Sequence, residues 1–219
     1  MKRPMKAKII RLDPAEVDPE KIRIIARTVS QDGVIVYPTD TFYGLGADCF
    51  SVRAIRRIFR LKKRPSAKAL PVLICDPAMA REIASIIPPV FDEIASFFWP
   101  GPLTLLLPAA RHLPGELVGP KRTIGVRIPA VAWLRELVDE TGTPLIATSA
   151  NISGEGEIAS PEKVIDLFRN RVELIVDGGE APGGRPSTVV DLTLDKPRLV
   201  RKGAVPEERL RKYFYRMKS

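Results

Sequence analysis

The sequence VIVYPTDTFYGLG, residues 34–46, joins a predicted strand to a polar segment of the kind that binds small ligands. The apolar run Gly33–Tyr37 predicts a buried strand. Thr39 and Thr41 then flank Asp40, and two glycines follow. Open α/β sheets bind ligands at the carboxyl ends of their strands, where hydroxyl and backbone NH groups are available. A glycine-rich turn between a strand and a helix is the alternative, and the phosphate-binding pattern G-x-x-x-x-G-K-S/T is missing.

Strands and helices are predicted to alternate along the rest of the chain. Apolar runs predict strands at Ala7–Leu12, Gly33–Tyr37, Ala69–Cys75, Leu103–Leu107, Thr123–Ile128, Pro144–Ser149, Val172–Val176, Ser187–Leu192 and Arg198–Arg201. Apolar positions at helical spacing predict helices at Pro19–Gln31, Ser51–Lys63, Pro77–Ile86, Pro89–Phe98, Ala130–Thr141, Pro161–Arg169 and Pro206–Met217. The alternation indicates an α/β fold. Because the last strands are joined by short loops, antiparallel pairs are expected and the sheet should be mixed.

The composition is typical of a single globular domain. Of the 219 residues, 45% are hydrophobic and 28% are charged, which is enough apolar material for a core. No apolar run approaches the roughly 20 residues of a membrane helix. The N-terminus lacks the apolar stretch of a secretory signal, so we expect a cytoplasmic protein. Cys49 and Cys75 could form one disulfide, and the lone His112 argues against a zinc site or a histidine-dependent hydrolase.

Basic side chains are concentrated in one central segment and at both termini. The formal net charge is +9, and residues 53–68 contain eight Lys or Arg and no acidic residue. Such clusters attract the phosphates of a nucleotide or a nucleic acid, with a solvated surface as the alternative. Within the cluster, Pro65 ends the predicted helix, so that the cations of residues 62–71, KKRPSAKALP, can converge on the following connection. These cations could instead be solvated and interact favourably with the helix dipole.

Two further strands carry polar or charged groups. Residues 147–154, ATSANISG, close an apolar strand with hydroxyl and amide groups, which suits ligand contact or a polar turn. Ser149 is not expected to be a hydrolase nucleophile, because no G-x-S-x-G pattern is present. Arg127 lies in the apolar strand TIGVR and needs an anionic partner, which could be Asp40, another acid or a ligand carboxylate.

Seven segments, taken in order, resemble the YrdC-like threonylcarbamoyl-AMP synthase family: PTDTFYGLG, KKRPSAKALPV, WPGPLTLLL, TIGVRIP, ATSANISG, PSTVVDL and LVRKG. The resemblance extends from about Val34 to Gly203. It implies one YrdC-like catalytic domain over residues 1–219, in the short form. The implied fold is a twisted mixed parallel and antiparallel sheet flanked by helices, with a deep basic groove.

The resemblance also implies a reaction and its partners. L-Threonine and bicarbonate form a carbamate, which attacks the α-phosphate of ATP to give threonylcarbamoyl-AMP and pyrophosphate. The product supplies the threonylcarbamoyl group of tRNA adenosine 37, through downstream transfer proteins. Mg²⁺ is expected with ATP, without a dedicated metal site in the protein. A double-stranded RNA or tRNA-binding module that uses the basic groove is the main alternative, and the carbamoyl-adenylate unit of a hydrogenase-maturation enzyme is a less favoured one.

Site residues are carried over from the family segment by segment. The catalytic, phosphate-binding pair would be Lys62 and Arg64. The resemblance implies ATP contacts for Lys62, Arg64, Lys68, Thr123, Ser149, Asn151 and Arg201. It implies threonine contacts for Thr41, Arg127, Ala147 and Ser187, although Ser187 and Arg201 could instead be ordinary edge-strand residues.

Two positions depart from the family pattern. Leu73 stands where many longer members carry a histidine near the threonine, so that contact is lost or replaced. Glu157 falls where a serine often contacts ATP. An anionic side chain beside phosphates is unfavourable, so Glu157 is expected to turn away or to assist magnesium.

Overall fold

The computed structural model describes residues 6–64 and 69–214. Its strands are β1 (Lys8–Arg11), β2 (Ile35–Pro38), β3 (Tyr43–Gly46), β4 (Val72–Leu73), β5 (Leu103–Pro108), β6 (Thr123–Arg127), β7 (Leu145–Ile146), β8 (Thr148–Ser149), β9 (Leu174–Asp177), β10 (Thr188–Asp191) and β11 (Arg198–Arg201). Its helices are α1 (Pro19–Ser30), α2 (Val52–Lys62), α3 (Pro77–Ile83), α4 (Phe91–Phe98), α5 (Gly115–Val118), α6 (Ala132–Thr141), α7 (Pro161–Phe168) and α8 (Glu207–Phe214).

The strands form two hydrogen-bonded sheets, whereas the sequence led us to expect one. A five-stranded sheet has the order β1-β9-β2-β3-β8, and a six-stranded sheet has the order β11-β10-β5-β6-β4-β7. Both sheets are mixed, as predicted: β9 pairs with β1 and β2 in parallel, for example, while β5 and β6 are antiparallel. The helices flank these sheets and cover their apolar faces.

Helix α1 shows how local sequence sets the ends and the buried face of a helix. Asp18 is the N-cap and accepts a hydrogen bond from the Glu20 backbone NH at 2.9 Å, and Pro19 occupies the first turn. Ile25 and Val29 are fully or almost fully buried, and they belong to the same apolar cluster as Trp133 of α6. The predicted span, Pro19–Gln31, agrees within one residue.

Helix α2 places the basic segment beside the sheets. Ser51 caps its first turn by accepting from the Ala54 NH at 3.1 Å. The helix ends at Lys62 and is capped by Lys63, which adopts the left-handed conformation with φ 49°, and the Arg64 NH donates to the Phe59 carbonyl at 3.0 Å. This helix end turns the chain so that Lys62 points inward while Lys63 stays exposed.

The segment after β2 folds as a hairpin, which the sequence did not predict. No strand was predicted for residues 43–46, but they form β3, antiparallel to β2 and fully buried. The turn is closed by the Thr39 hydroxyl, which donates to the Phe42 carbonyl at 2.7 Å. A Cβ at Gly46 would lie 2.5 Å from a Tyr37 ring carbon. Glycine is therefore required because the Tyr37 ring crosses β3 at this point.

The predicted strand Pro144–Ser149 is divided between the two sheets. β7 pairs with β4 of the six-stranded sheet, and β8 pairs with β3 of the five-stranded sheet. Ala147 lies at the crossing, where its NH donates to the Pro71 carbonyl at 2.8 Å. The predicted strand Ala69–Cys75 likewise reduces to β4, and the short helix α5 was not predicted. This crossing links the two sheets next to the ATSANISG segment.

The structure bears on the predictions made for the two cysteines, for His112 and for membrane-spanning helices. Cys49 is buried and Cys75 is partly exposed, and both are free thiols, so the disulfide does not form. His112 is exposed and stacks on Phe50 at a centroid distance of 6.0 Å. Across residues 6–64 and 69–214, no helix has the length and apolar character needed to cross a membrane.

Candidate functional site

A cavity of about 410 Å³ is lined by residues from strands of both sheets. Its walls include the Thr39–Phe42 turn, strands β4, β5 and β6, the crossing at Ala147, and strands β10 and β11. Most of the residues proposed from sequence line it: Thr41, Arg64, Thr123, Arg127, Ala147, Ser149, Ser187 and Arg201. Leu73, one of the two departures from the family pattern, also lines the cavity. The structure thus brings together side chains that are far apart in sequence.

Arg127 and Asp40 form a largely buried ion pair in the cavity wall. Their side chains are 10% and 15% exposed, and Arg127 Nη2 donates to Asp40 Oδ1. Arg127 Nε donates to the Gly101 carbonyl at 2.9 Å. Among the alternatives that the sequence left open, Asp40 is therefore the partner of Arg127. The Nη1 nitrogen has no hydrogen bond to any described residue, so one side of the guanidinium can receive a further anion.

The Thr39–Phe42 turn presents two hydroxyl groups beside this pair. Thr39 Oγ1 and Thr41 Oγ1 lie 3.1 Å apart, and Thr41 is 8% exposed. Tyr37 also lines the cavity, and its hydroxyl donates to the Ile146 carbonyl at 3.1 Å. Burial raises the pKa of Tyr37 well above its usual value, so this hydroxyl stays protonated. The wall therefore offers neutral hydroxyls next to a compensated ion pair.

Ser187 and Arg201 are in direct contact. Arg201 Nη2 donates to Ser187 Oγ at 2.9 Å, and Arg201 Nε donates to the Ser187 carbonyl at 3.0 Å. Thr104 Oγ1 lies 2.9 Å from Ser187 Oγ. Burial lowers the pKa of Arg201, although the side chain remains a cation at neutral pH. The family resemblance assigned these two residues to different substrates, whereas the structure joins them in one network.

Lys62 lies behind the cavity wall and holds the ATSANISG segment in place. The side chain is almost completely buried, and its ammonium donates to the carbonyls of Ser149 and Asn151 and to Asn151 Oδ1, the last at 2.8 Å. Ser149 Oγ donates to the same Oδ1 atom at 2.7 Å. Burial, with a smaller contribution from Arg64, lowers the pKa of Lys62 to about 8. Neither Lys62 nor Asn151 lines the cavity, whereas Ser149 does.

Arg64 lines the cavity with much of its hydrogen-bonding capacity unused. Arg64 Nη2 donates to the Ala69 carbonyl at 2.9 Å. Its Nε atom is buried and has no hydrogen bond in the part of the chain that the structure describes. Burial also lowers the pKa of this guanidinium. Lys68, the other cation predicted here, lies outside the described residues.

Sequence reasoning missed several lining residues. Tyr37 ends the predicted strand before the recognised segment, Thr39 lies within that segment but was given no substrate contact, and Thr104 is the one polar residue in the apolar strand β5. The position of Thr104 could have identified it, because a polar residue in a buried strand needs a partner. Glu157 was set aside as an unfavourable anion, yet it lines the cavity.

The basic outer face of α2 is largely compensated by acids. Arg56 is paired with Glu116 at 2.7 Å, and Arg57 is paired with Glu173. Arg53 lies 3.9 Å from Asp32. The positive charge that the sequence concentrates in this helix is therefore reduced on its outer face, while Lys62 at its C-terminal end points inward.

Comparisons with known proteins connect this geometry to one family. The family model named Sua5_yciO_yrdC, described as "Telomere recombination", matches residues 27–203. A Pyrococcus abyssi protein named threonylcarbamoyl-AMP synthase is 39% identical over 88% of this chain and 56% of its own length. A Bacillus subtilis protein of the same name is 32% identical over 90% of this chain and 58% of its own length. The chain thus spans a little more than half the length of these two relatives.

The fold agrees with a solved structure. The crystal structure of P. abyssi Sua5 complexed with L-threonine superposes with a TM-score of 0.91 at 36% identity. The superposition covers 97% of this chain and 62% of that one. The expected mixed sheet flanked by helices is thereby confirmed, with its strands divided between two sheets.

Proposed function

Because the chain belongs to the Sua5/YciO/YrdC family, we propose that it is an L-threonylcarbamoyladenylate synthase. It would convert L-threonine, bicarbonate and ATP into threonylcarbamoyl-AMP and pyrophosphate. The observation that carries the proposal is a single cavity that combines Arg127, available to a carboxylate, with a separate group of cations and hydroxyls around Arg64 and Ser149. The curated relatives that share the name of this activity support it, as does the relative bound to L-threonine.

The threonine would bind beside the Arg127–Asp40 pair. The free side of the Arg127 guanidinium would take the substrate carboxylate, since a guanidinium suits carboxylate geometry. Thr41 would hydrogen-bond the threonine hydroxyl, and the backbone at Ala147 would border the side chain. Ser187, directly before β10, would contribute its hydroxyl. Asp40 would hold Arg127 in place, because its pairing fixes the direction of the guanidinium.

The triphosphate of ATP would bind at the cationic end of the cavity. Arg64, Ser149, Thr123 and Arg201 line the cavity and would offer charge-assisted or neutral hydrogen bonds to phosphate and ribose oxygens. We propose Lys68 as a further contact. Lys62 and Asn151 would act by positioning, because they orient Ser149 from behind the wall. This refines the sequence-based assignment, which placed both residues in contact with ATP.

Catalysis would need no protein nucleophile. The threonine nitrogen and CO₂ derived from bicarbonate form the carbamate, with loss of a proton. A carbamate oxygen then attacks the α-phosphorus, and the bond to the bridging oxygen of pyrophosphate breaks. The cavity would accelerate this step by aligning the two substrates and by stabilising the charge that develops on the phosphate oxygens. Arg64 is the catalytic residue best placed for that second role.

Magnesium fits this site as a companion of ATP. The described residues contain no group of three potential metal-ligating side chains, and only Asp40 and Glu157 are acids in the cavity wall. Asp40 is engaged by Arg127, so at most Glu157 would help to hold the ion. Mg²⁺ commonly binds through one or two carboxylates together with substrate phosphates and water. When bound, it would neutralise charge on the triphosphate.

The RNA-binding alternative has less support. The outer arginines of α2 are paired with acids, which weakens the surface as a phosphate-binding patch. A concave cavity with a largely buried ion pair suits a small molecule better than a duplex. Transfer of the product to tRNA through downstream proteins remains a prediction from the family, and so does any direct contact with tRNA.

The product identifies the activity directly. Purified protein incubated with ATP, Mg²⁺, threonine and bicarbonate should release pyrophosphate and form an adenylate with the mass of threonylcarbamoyl-AMP. Omission of threonine or of bicarbonate should abolish both signals, and valine should not replace threonine. The last result is expected because a site that binds a hydroxyl strongly rejects an analogue without it. Pyrophosphate release that persists after both omissions would overturn the proposal.

A further inference from the structure

Glu157 is the one described acid in the cavity wall that lacks an ion-pair partner. Asp40, the other lining acid, is bound by Arg127. Glu157 makes no hydrogen bond and no ion pair within 4 Å with any residue of 6–64 or 69–214. It lies before α7, in a segment where the side chain is partly exposed. Its carboxylate is therefore available to whatever enters the cavity.

The surroundings of Glu157 are those of an anion-binding site. Arg64 and Arg201 line the same cavity, and Lys62 lies behind it. The charge of Glu157 acts on two of these cations, since it raises the pKa of both Lys62 and Arg201 against the stronger lowering by burial. A phosphate chain bound by these cations would consequently also meet this carboxylate. In the family that the sequence resembles, a serine often takes this place.

We propose that Glu157 makes the nucleotide site selective for magnesium-bound ATP over the free ATP anion. The inference rests on the proposed function, because it assumes that ATP occupies this cavity. Free ATP carries about four negative charges near neutral pH, and its magnesium complex about two. Repulsion by a fixed carboxylate scales with ligand charge, so Glu157 penalises the free anion more than the complex. With the complex, the carboxylate can also lie close to the metal, which favours it further.

The test is equilibrium binding, which is independent of turnover. Calorimetric titrations with ATP are made in excess Mg²⁺ and in EDTA, for the parent protein, Glu157→Gln and the control Glu155→Gln. Glu155 is an exposed acid two residues away that does not line the cavity, so the control changes the net charge equally. The ratio of the two dissociation constants should be about tenfold or more in the parent and in the control. In Glu157→Gln it should fall at least about threefold, mainly because free ATP binds more tightly.

The possible outcomes separate this inference from the proposed function. An unchanged ratio in Glu157→Gln, with ATP still bound, overturns the role of Glu157 and leaves the synthase proposal standing. Equal changes in Glu157→Gln and Glu155→Gln also overturn it, because they reveal only a net-charge effect. If the parent binds ATP in neither condition, both proposals fail. Melting temperatures of the variants, measured without ligand, check that each one is folded.

Discussion

The cations at the two ends of the cavity differ in how their charge is compensated by the protein. At the end proposed for threonine, Arg127 is paired with Asp40 and bonded to the Gly101 carbonyl, so the protein supplies its own compensating anion. At the end proposed for ATP, Arg64 has a buried Nε without a partner among the described residues. Arg201 is a further cation in the cavity wall, and Glu157 is the one acid besides Asp40 among the described lining residues.

This difference matches the two proposed substrates. Threonine is a zwitterion with no net charge, so a balanced wall can bind it without a large electrostatic cost. ATP is a polyanion, and a surplus of cations would provide part of its neutralisation. We therefore propose that an internal ion pair balances the charge at one end of the cavity, whereas the bound ATP would balance it at the other. Substitutions that act on one end should leave the other largely intact.

The largest effect is expected for Arg64→Ala. This change removes a cation that we place at the phosphate, where charge develops during the reaction. Pyrophosphate release should fall about 10²–10³-fold, comparable to the loss of one transition-state hydrogen-bond donor. The melting temperature without ligand should change little, because the Arg64 side chain makes only one described hydrogen bond, to the Ala69 carbonyl. Arg60→Ala is the control, since Arg60 is exposed on the same helix; a matching loss there would refute a specific role for Arg64.

A smaller effect is expected for Arg127→Ala, and it should appear as a loss of stability. It leaves Asp40 largely buried without its partner, which should lower the free energy of unfolding by about 2–3 kcal/mol, somewhat less than for a fully buried pair. The double variant Asp40→Asn with Arg127→Ala should recover part of the loss, because the uncompensated charge is gone. Urea denaturation measures both. A double variant as unstable as the sum of the two single variants would indicate that the pair is not coupled.

Substitutions in the ATSANISG segment compare a residue proposed to contact ATP with one proposed to position it. Ser149→Ala should reduce the rise in melting temperature that ATP causes, because Ser149 lines the cavity. Asn151→Ala should reduce it at least as much, since it also removes an acceptor of the buried Lys62 ammonium. Each loss should be about 1–2 kcal/mol of binding free energy. If both variants respond to ATP like the parent, the segment is only a turn.

The pH dependence of ATP binding should report on Lys62. Burial lowers the pKa of this ammonium to about 8, so it loses its proton as the pH rises from 7 to 9. A bound triphosphate favours the charged form, and ATP binding should therefore take up a proton near pH 8. The affinity should fall about tenfold between pH 7 and pH 9. Lys62→Met should bind ATP more weakly at pH 7 and should lose most of this dependence, as calorimetry can measure; an unchanged pH profile would refute the assignment.

The sequence predicts secondary structure well where the pattern is local. The extent of α1 follows from Asp18, Pro19 and the spacing of apolar residues. The hairpin at residues 35–46 was missed because the glycines of β3 resemble a turn, and only the packing of Tyr37 explains them. The break at Ala147 was missed for a similar reason, because it depends on pairing with strands remote in sequence.

The candidate site residues were proposed largely through a family resemblance, and their arrangement needed the structure. Nothing in the spacing of Lys62 and Asn151 indicates that one holds the other behind the wall. The contact between Ser187 and Arg201 depends on the antiparallel pairing of β10 and β11. Local sequence patterns do not reveal long-range pairing of this kind. The sequence could therefore suggest which residues belong to the site, but not which of them line the cavity and which hold others in place.

The most direct test of the account is to titrate ATP and threonine separately into two variants. Arg64→Ala removes the cation at the ATP end, and Arg127→Lys keeps the charge facing Asp40 while removing the guanidinium fork. Arg64→Ala should lose most of its ATP affinity and retain that for threonine, and Arg127→Lys should show the reverse. If both variants lose the same ligand, or if each loses both equally, the cavity is not divided into the two ends described, and the central claim is contradicted.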